Sequence, residues 1–296
     1  MEKLKYAFSM LLKKYGGKHN GCPACKSEVY VQLGSSEFNK FPTCLRHCSE
    51  CKLLYRHPIT IESESKNFYE QEYTEPGLTT DLPTAKELAP LLASNFCDSE
   101  KDLSAWIPLF KRISTKLNRK IRILDYGANW GYTVYQLNQL DFVEFAAAYE
   151  YSEVRASYGN GHLGVTYIDE SQFSNDFDVV YSSHVIEHMH NPKLFETHVD
   201  KLINDEGYCI VACPNGSMTG LLANPTVWKY LWGKVHPNFI SDEYLLNIFS
   251  DYEGAVFDAP SGLVTYDYLD HLDYPPVSTL PKTAFLLGVF RRTMSK

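Results

Sequence analysis

The chain has 296 residues, 44% of them hydrophobic and 22% charged, so it can bury a large core and is not a disordered polymer. Its 28 Lys and Arg stand against 36 Asp and Glu, a net charge of −8, which argues against general nucleic-acid binding because phosphate contacts need clustered cations. No run approaches about 18 consecutive apolar residues, so no transmembrane helix is expected.

In chain order, residues 1–18 (MEKLKYAFSMLLKKYGGK) are basic and partly apolar, without the continuous apolar stretch or small-residue cleavage site of a signal peptide. They read as a short amphipathic helix on a cytoplasmic protein. Residues 19–60 hold Cys22-Pro-Ala-Cys25, Cys44 and Cys48-Ser-Glu-Cys51. Two CxxC knuckles flanking a segment with β-type alternation and turn residues match a structural zinc ribbon. Cys22, Cys25, Cys48 and Cys51 are the expected ligands, since four thiolates close a tetrahedral shell around Zn2+ and leave no open position for catalysis. Cys44 also lies near Cys51, but only Cys48 completes a CxxC. The scattered Cys97, Cys209 and Cys213, with no signal peptide, argue against disulfides.

Residues 61–118 form a Tyr-rich connector followed by two helical stretches in 84–118. A break near Cys97–Ser99 separates them, with Asp98 or Ser99 as cap of the second. From 119 to 296, short apolar runs alternate with helical stretches. Strands are predicted at 121–126, 145–150, 165–168, 177–183, 208–213, 255–259 and 284–290, with helices after Gly131, within 185–203 and at 241–250. Strands spaced by helical crossovers specify a doubly wound α/β sheet.

The most informative stretch is Ile123-Leu-Asp125-Tyr-Gly127-Ala-Asn129-Trp-Gly131. An apolar strand ends in Asp125, a Gly-containing turn follows, and a helix begins. Glycines there let the backbone approach a ligand and aim helix N–H groups at it. Asn129 occupies a position where Gly is usual, and Asn is the next best residue at positive φ. The second strand ends in Glu150, where a carboxylate can accept both hydroxyls of a ribose. Asp169 and Glu170 end the third, in reach of an adenine edge.

This constellation resembles class I S-adenosylmethionine-dependent methyltransferases. ILDYGANWG is similar to their first motif, LDxGxGxG, FDVVYSSHVIEHMHNP to their fourth-strand segment, CIVACPNG to their fifth strand, and HPNFISDEYLLNIF to a C-terminal segment of small-molecule members. The resemblance spans about 120–290. It implies an α/β fold with a Rossmann-like, seven-stranded doubly wound sheet whose last strand is antiparallel. It further implies that Asp125, Gly127, Ala128, Asn129 and Gly131 wrap the methionine part of S-adenosylmethionine and that Glu150 holds the ribose. Asp169 and Glu170 would lie near the adenine, and Ser183 and His184 beside the sulfonium. The (N/D)PP(Y/F) signature after strand four is replaced by SSHV, which disfavours methylation of exocyclic base nitrogens.

At the acceptor side, His184, Glu187 and His188 follow strand four at the carboxyl edge of the sheet, where ligands bind in such folds. His184 and His188 are expected on one face of a helix. His188 paired with Glu187 is a candidate general base, and the same HxxEH pattern can hold a divalent ion. His236 is a second base candidate. Tyr69 and Tyr73 are candidates for a lid, and Trp228, Tyr230 and Trp232 for a roof over the acceptor pocket. A CxxC…CxxC module ahead of this fold is similar to the sugar C-methyltransferase group. The resulting expectation is methyl transfer to a small-molecule acceptor, such as a nucleotide-linked sugar. The alternatives are an RNA methyltransferase gripping RNA with its ribbon and a catalytically inactive scaffold.

Overall fold

The computed structural model describes residues 10–13, 21–33, 43–59, 61–67, 82–226, 228, 236–259 and 268–293. Two sheets organise it. The small one contains β1 (Tyr30–Gln32), β2 (Cys44–Cys48) and β3 (Leu54–His57), all antiparallel. The large one is built from β4 (Ile121–Tyr126), β5 (Val143–Tyr149), β6 (Phe177–Ser183), β7 (Ile203–Pro214), β9 (Tyr252–Asp258), β10 (Val277–Ser278) and β11 (Phe285–Arg292). Its order is β10-β9-β11-β7-β6-β4-β5. β5, β4, β6 and β7 run parallel, and β11 is antiparallel to both β7 and β9.

The central strands are near-continuous apolar runs because both faces are covered. Leu124, Val180, Val211 and Leu286 belong to one core. Their neighbours Ile123, Val179, Ile210 and Leu287 belong to the other, as the two-residue strand period requires. The second core is closed by Leu109, Phe110 and Ile113 of α3 (Ile107–Leu117). Further helices are α1 (Glu62–Asn67), α2 (Ala85–Ala93), α4 (Tyr132–Leu137), α5 (Glu153–Leu163), α6 (Lys193–Leu202), α7 (Met218–Ala223) and α8 (Asp242–Ile248).

The ribbon is not a separate bead. Its sheet gains a fourth strand, β8 (Asn238–Phe239), from the catalytic half of the chain, with Leu54 opposite Phe239 and Tyr55 opposite Asn238. Cys22, Leu53 and Tyr55 sit in the same apolar cluster as Ile240, Tyr244 and Phe290. One core therefore runs from the knuckles to the large sheet.

Several sequence expectations need correction. The sheet has seven strands, but not the seven foreseen. Residues 165–168 contribute only a bridge, Ala148 to Tyr167, and the seventh strand is β10 on the opposite edge. Left-handed Gly164 ends α5 just before the segment, and Asp169 caps a 3-10 turn at Glu170–Gln172 just after it, so too few extended residues remain for a ladder. The second helix of 84–118 begins at Ile107 with Pro108 in its first turn, beyond Asp98 and Ser99. Ile186–His188 is a single 3-10 turn, not an α-helix. Of the N-terminal helix, residues 10–13 are helical and the rest of 1–18 lies outside the described residues.

Candidate active site

Asp125 is the penultimate residue of β4 and has only 4% of its surface exposed. Burial pushes its carboxyl up to about 7, helped by the charge of Glu150 and opposed by a hydrogen bond from Thr133. The turn after it is fastened to the neighbouring strand: the N–H groups of Gly127 and Ala128 both donate to Tyr149 O, at 2.8 and 3.1 Å. Gly127 (φ +81°) and Gly131 (φ +79°) take left-handed conformations, and a Cβ on Gly127 would lie 2.3 Å from Val185 Cγ2. That position admits no side chain. Beyond Gly131, α4 leads away with its N-terminus on the turn.

Glu150, at the end of β5, accepts from the N–H of Asn129 and of Ser152, both at 2.8 Å. Burial raises its carboxyl, and these N–H groups with Arg155 oppose the rise. The two acids foreseen at the third strand end lie on the outside. Asp169 accepts from Ser171 N at 2.8 Å and so caps its own turn, while Glu170 accepts from Tyr149 Oη at 2.9 Å. Ser183 ends β6, level with Ala212 of β7.

His184 follows in a left-handed conformation (φ +57°) that non-glycine residues seldom adopt, its N–H donating to Ala212 O at 2.9 Å. This turn, rather than a shared helix face, aims the imidazoles. His184 Nδ1 lies 3.4 Å and His188 Nε2 3.9 Å from Oε1 of Glu187, which is fully buried. His236 stacks edge-on against His188 with ring centroids 4.4 Å apart. Neither Glu187 oxygen has an aligned hydrogen-bond donor among the described residues. Although burial raises the Glu187 carboxyl, the surrounding imidazoles bring it below its ordinary value. Burial likewise lowers His184, but the Glu187 carboxylate carries it above the usual imidazole value. His184 is 49% exposed and is the cluster member most open to a ligand. Ligand atoms of Glu187, His188 and His236 lie within 4.8 Å of one another, so the sequence-distant His236 joins the pair.

In the ribbon, the sulfurs of Cys22, Cys25, Cys48 and Cys51 also lie within 4.8 Å of one another, with 3.5 Å between Cys22 and Cys51 and between Cys25 and Cys48. Each knuckle turns on a left-handed lysine, Lys26 (φ 64°) and Lys52 (φ 65°), whose ammonium folds back on Pro23 O or Ser49 O. The Cys51 thiol lowers Cys22 to about 6 and is itself raised, as crowded thiols sharing protons require. Four sulfurs so placed fit a tetrahedral thiolate-binding cation. Cys44 points instead at Gln32 Oε1, 3.5 Å away.

Residues 99–254 match the methyltransferase domain family. The chain belongs to that family. It is an S-adenosylmethionine-dependent methyltransferase, with Asp125, the 127–131 turn and Glu150 at the carboxyl edge of the sheet. Solved structures similar to this methyltransferase include the plantazolicin methyltransferase BpumL in complex with S-adenosylhomocysteine and a desmethylplantazolicin analogue. The identity is 13%, over 78% of this chain and 96% of that one, with a TM-score of 0.49. A methyltransferase from Archaeoglobus fulgidus is 14% identical over 68% and 99% of the two chains (TM-score 0.42). Another, from Thermotoga maritima, is 15% identical over 70% and 95% (TM-score 0.41). A comparison with curated proteins finds no match.

In this methyltransferase no helix of the described residues is long and apolar enough to cross a membrane. Tyr69, Tyr73, Tyr230 and Trp232 lie outside the described residues. Trp228 is buried in a small apolar cluster with Phe239, Leu45 and Leu54 of the ribbon sheet. Sequence reasoning missed Thr133, Arg155, Tyr167 and Asn238. Asn238 donates to Met189 O at 2.6 Å and ties the β8 segment to the imidazole turn. Nothing local marks these residues, because each acts across a tertiary contact.

Proposed function

We propose that this methyltransferase alkylates a small-molecule acceptor and that nucleotide-linked sugars are the acceptor class. Zn2+ on Cys22, Cys25, Cys48 and Cys51 would serve structure only, its shell closed by sulfur. The observation that carries the reading is the meeting of a buried acidic end, Asp125 and Glu150, with an imidazole cluster at the same sheet edge. Bound S-adenosylmethionine supplies an electrophilic methyl group on a sulfonium. Asp125 and the 127–131 turn would hold its methionine part and Glu150 its ribose, with Ser183 beside the sulfonium and Glu170 nearest the adenine. His184, backed by the Glu187 carboxylate, would take the proton that the acceptor atom, carbon, oxygen or nitrogen, loses as its electron pair forms the new bond to the methyl carbon and the methyl–sulfur bond breaks. His188 and His236 would keep that carboxylate ionised and in place.

The sugar class rests on the ribbon's similarity to the sugar C-methyltransferase group. An RNA reading draws little from the ribbon's cations among the described residues, which leave out Lys40: Lys26 and Lys52 fold onto their own knuckles, Arg46 lies over the Tyr30 ring and Arg56 faces the Phe239 ring. The test is incubation with methyl-labelled S-adenosylmethionine and a panel of nucleotide-linked deoxysugars. Label in a sugar nucleotide, reduced about 100-fold or more by His184→Ala with cofactor binding retained, supports the proposal. Label that enters RNA and none of the sugars would sink the acceptor class.

A further inference from the structure

The cofactor turn departs from the usual pattern at Asn129, and three polar atoms of that residue are held by three different parts of the fold. Its N–H donates to Glu150 Oε2 at the end of β5, 2.8 Å. Its side-chain Oδ1 accepts from Arg155 Nη1 on α5, 2.5 Å. Its carbonyl accepts from Tyr167 Oη, 3.0 Å, at the bridge that replaces a third parallel strand. Tyr167 reaches that carbonyl because Gly131 and Gly159 leave room: a Cβ on either would lie 2.8 or 2.2 Å from its hydroxyl. Arg155 is itself 6% exposed, an unusual place for a guanidinium unless it is paired.

A glycine at position 129 would satisfy the left-handed backbone (φ +54°) at no steric cost, but it would leave Arg155 without its Oδ1 acceptor. We propose that Arg155 is a positioning residue for S-adenosylmethionine, which acts through Asn129 to keep the turn closed on Glu150 in its ribose-accepting geometry. Every contact of the lock is made between protein atoms, so holding the turn draws on no ligand contact. The proposal rests on the ribose role of Glu150. It reverses the simple expectation for the turn: restoring the commoner glycine weakens binding.

The ionisable groups facing Glu150 are Asp125 and Tyr126 from β4, Tyr149 from its own strand, Tyr167 from the bridge and Arg155 from α5. Arg155 is the cation of the set. Losing it lets burial drive Glu150 further toward its neutral form, which accepts ribose hydroxyls less well.

The experiment is calorimetric titration of S-adenosylmethionine into the native protein, Asn129→Gly, Arg155→Gln, Arg155→Lys and the Asn129→Gly/Arg155→Gln double variant, each checked by thermal melting. Each single variant is expected to bind about tenfold more weakly, Arg155→Lys less so, and the double variant about as the singles do, because one lock is broken once. As pH is lowered from 8 to 5.5, Arg155→Gln should lose affinity at a higher pH than the native protein, with Asp125 contributing equally to both. Native-like binding by Asn129→Gly, a multiplied loss in the double variant, or coincident pH profiles would each overturn the lock. A native protein that binds no cofactor would overturn the ribose reading as well, which separates the two failures.

Discussion

The cysteine knuckles and the turn at 127–131 both gather polar atoms around a point, but they are stabilised in opposite ways. In the ribbon, four sulfurs of one kind converge, a set that would need an added cation to hold all of them as thiolates. In the 127–131 turn, the carboxylate of Glu150 accepts from two N–H groups and feels the charge of Arg155, so the arrangement is closed from within. The lesson is that a ligand site can be an open demand or a preset shape, and one chain can contain both. The shared core makes the contrast matter, since strand β8 links the ribbon to the turn that carries Glu187.

The largest way to sharpen this comparison is metal removal. Chelation, or Cys25→Ser, should cost several kcal/mol of stability and lower the calorimetric melting temperature of the whole molecule in one transition, because ribbon and sheet share a core. A separate, low-temperature ribbon transition with an unchanged main peak would break the picture. Next in size, Leu53→Ala in that shared cluster should cost about 2–5 kcal/mol in urea unfolding, as a fully buried leucine does.

Asp125 supplies a pH test of the cofactor end. Its folded-state carboxyl is raised above its unfolded value, so the folded state holds the extra proton between about 4 and 7. Stability should therefore fall as pH rises through that window and level off above it. Asp125→Asn should remove the slope, gain roughly 2–4 kcal/mol at pH 8 and change little at pH 4, while losing cofactor affinity. Equal pH dependence in both proteins would exclude Asp125 as the source. The smallest effect belongs to the ribbon's outer strand: Val31→Ala, at a site 58% exposed, should shift stability by less than about 0.5 kcal/mol.

Local chemistry explains why much of the architecture was legible in advance. β6 spans the expected 177–183, and β4 the expected 121–126, because an unbroken apolar strand flanked by polar turns has few other places to go. The CxxC spacing similarly identified the four clustered sulfurs. The imidazole group was only partly legible. His184 and His188 were foreseen together, but through a helix that does not form; a left-handed His184 and a 3-10 turn bring them to Glu187 instead.

By itself, then, the sequence determined the elements whose cause is local: the alternation of apolar runs, the glycine turn after Asp125 and the paired knuckles. Tertiary structure decided what depends on meeting: β8 in the ribbon sheet, Trp228 beneath it, Tyr167 turned inward instead of extending a strand, and Arg155 set on Asn129. The physical reason is range. Strand period and turn propensity act over a few residues, whereas a buried guanidinium or an added strand is stable only once distant segments have removed water from around it.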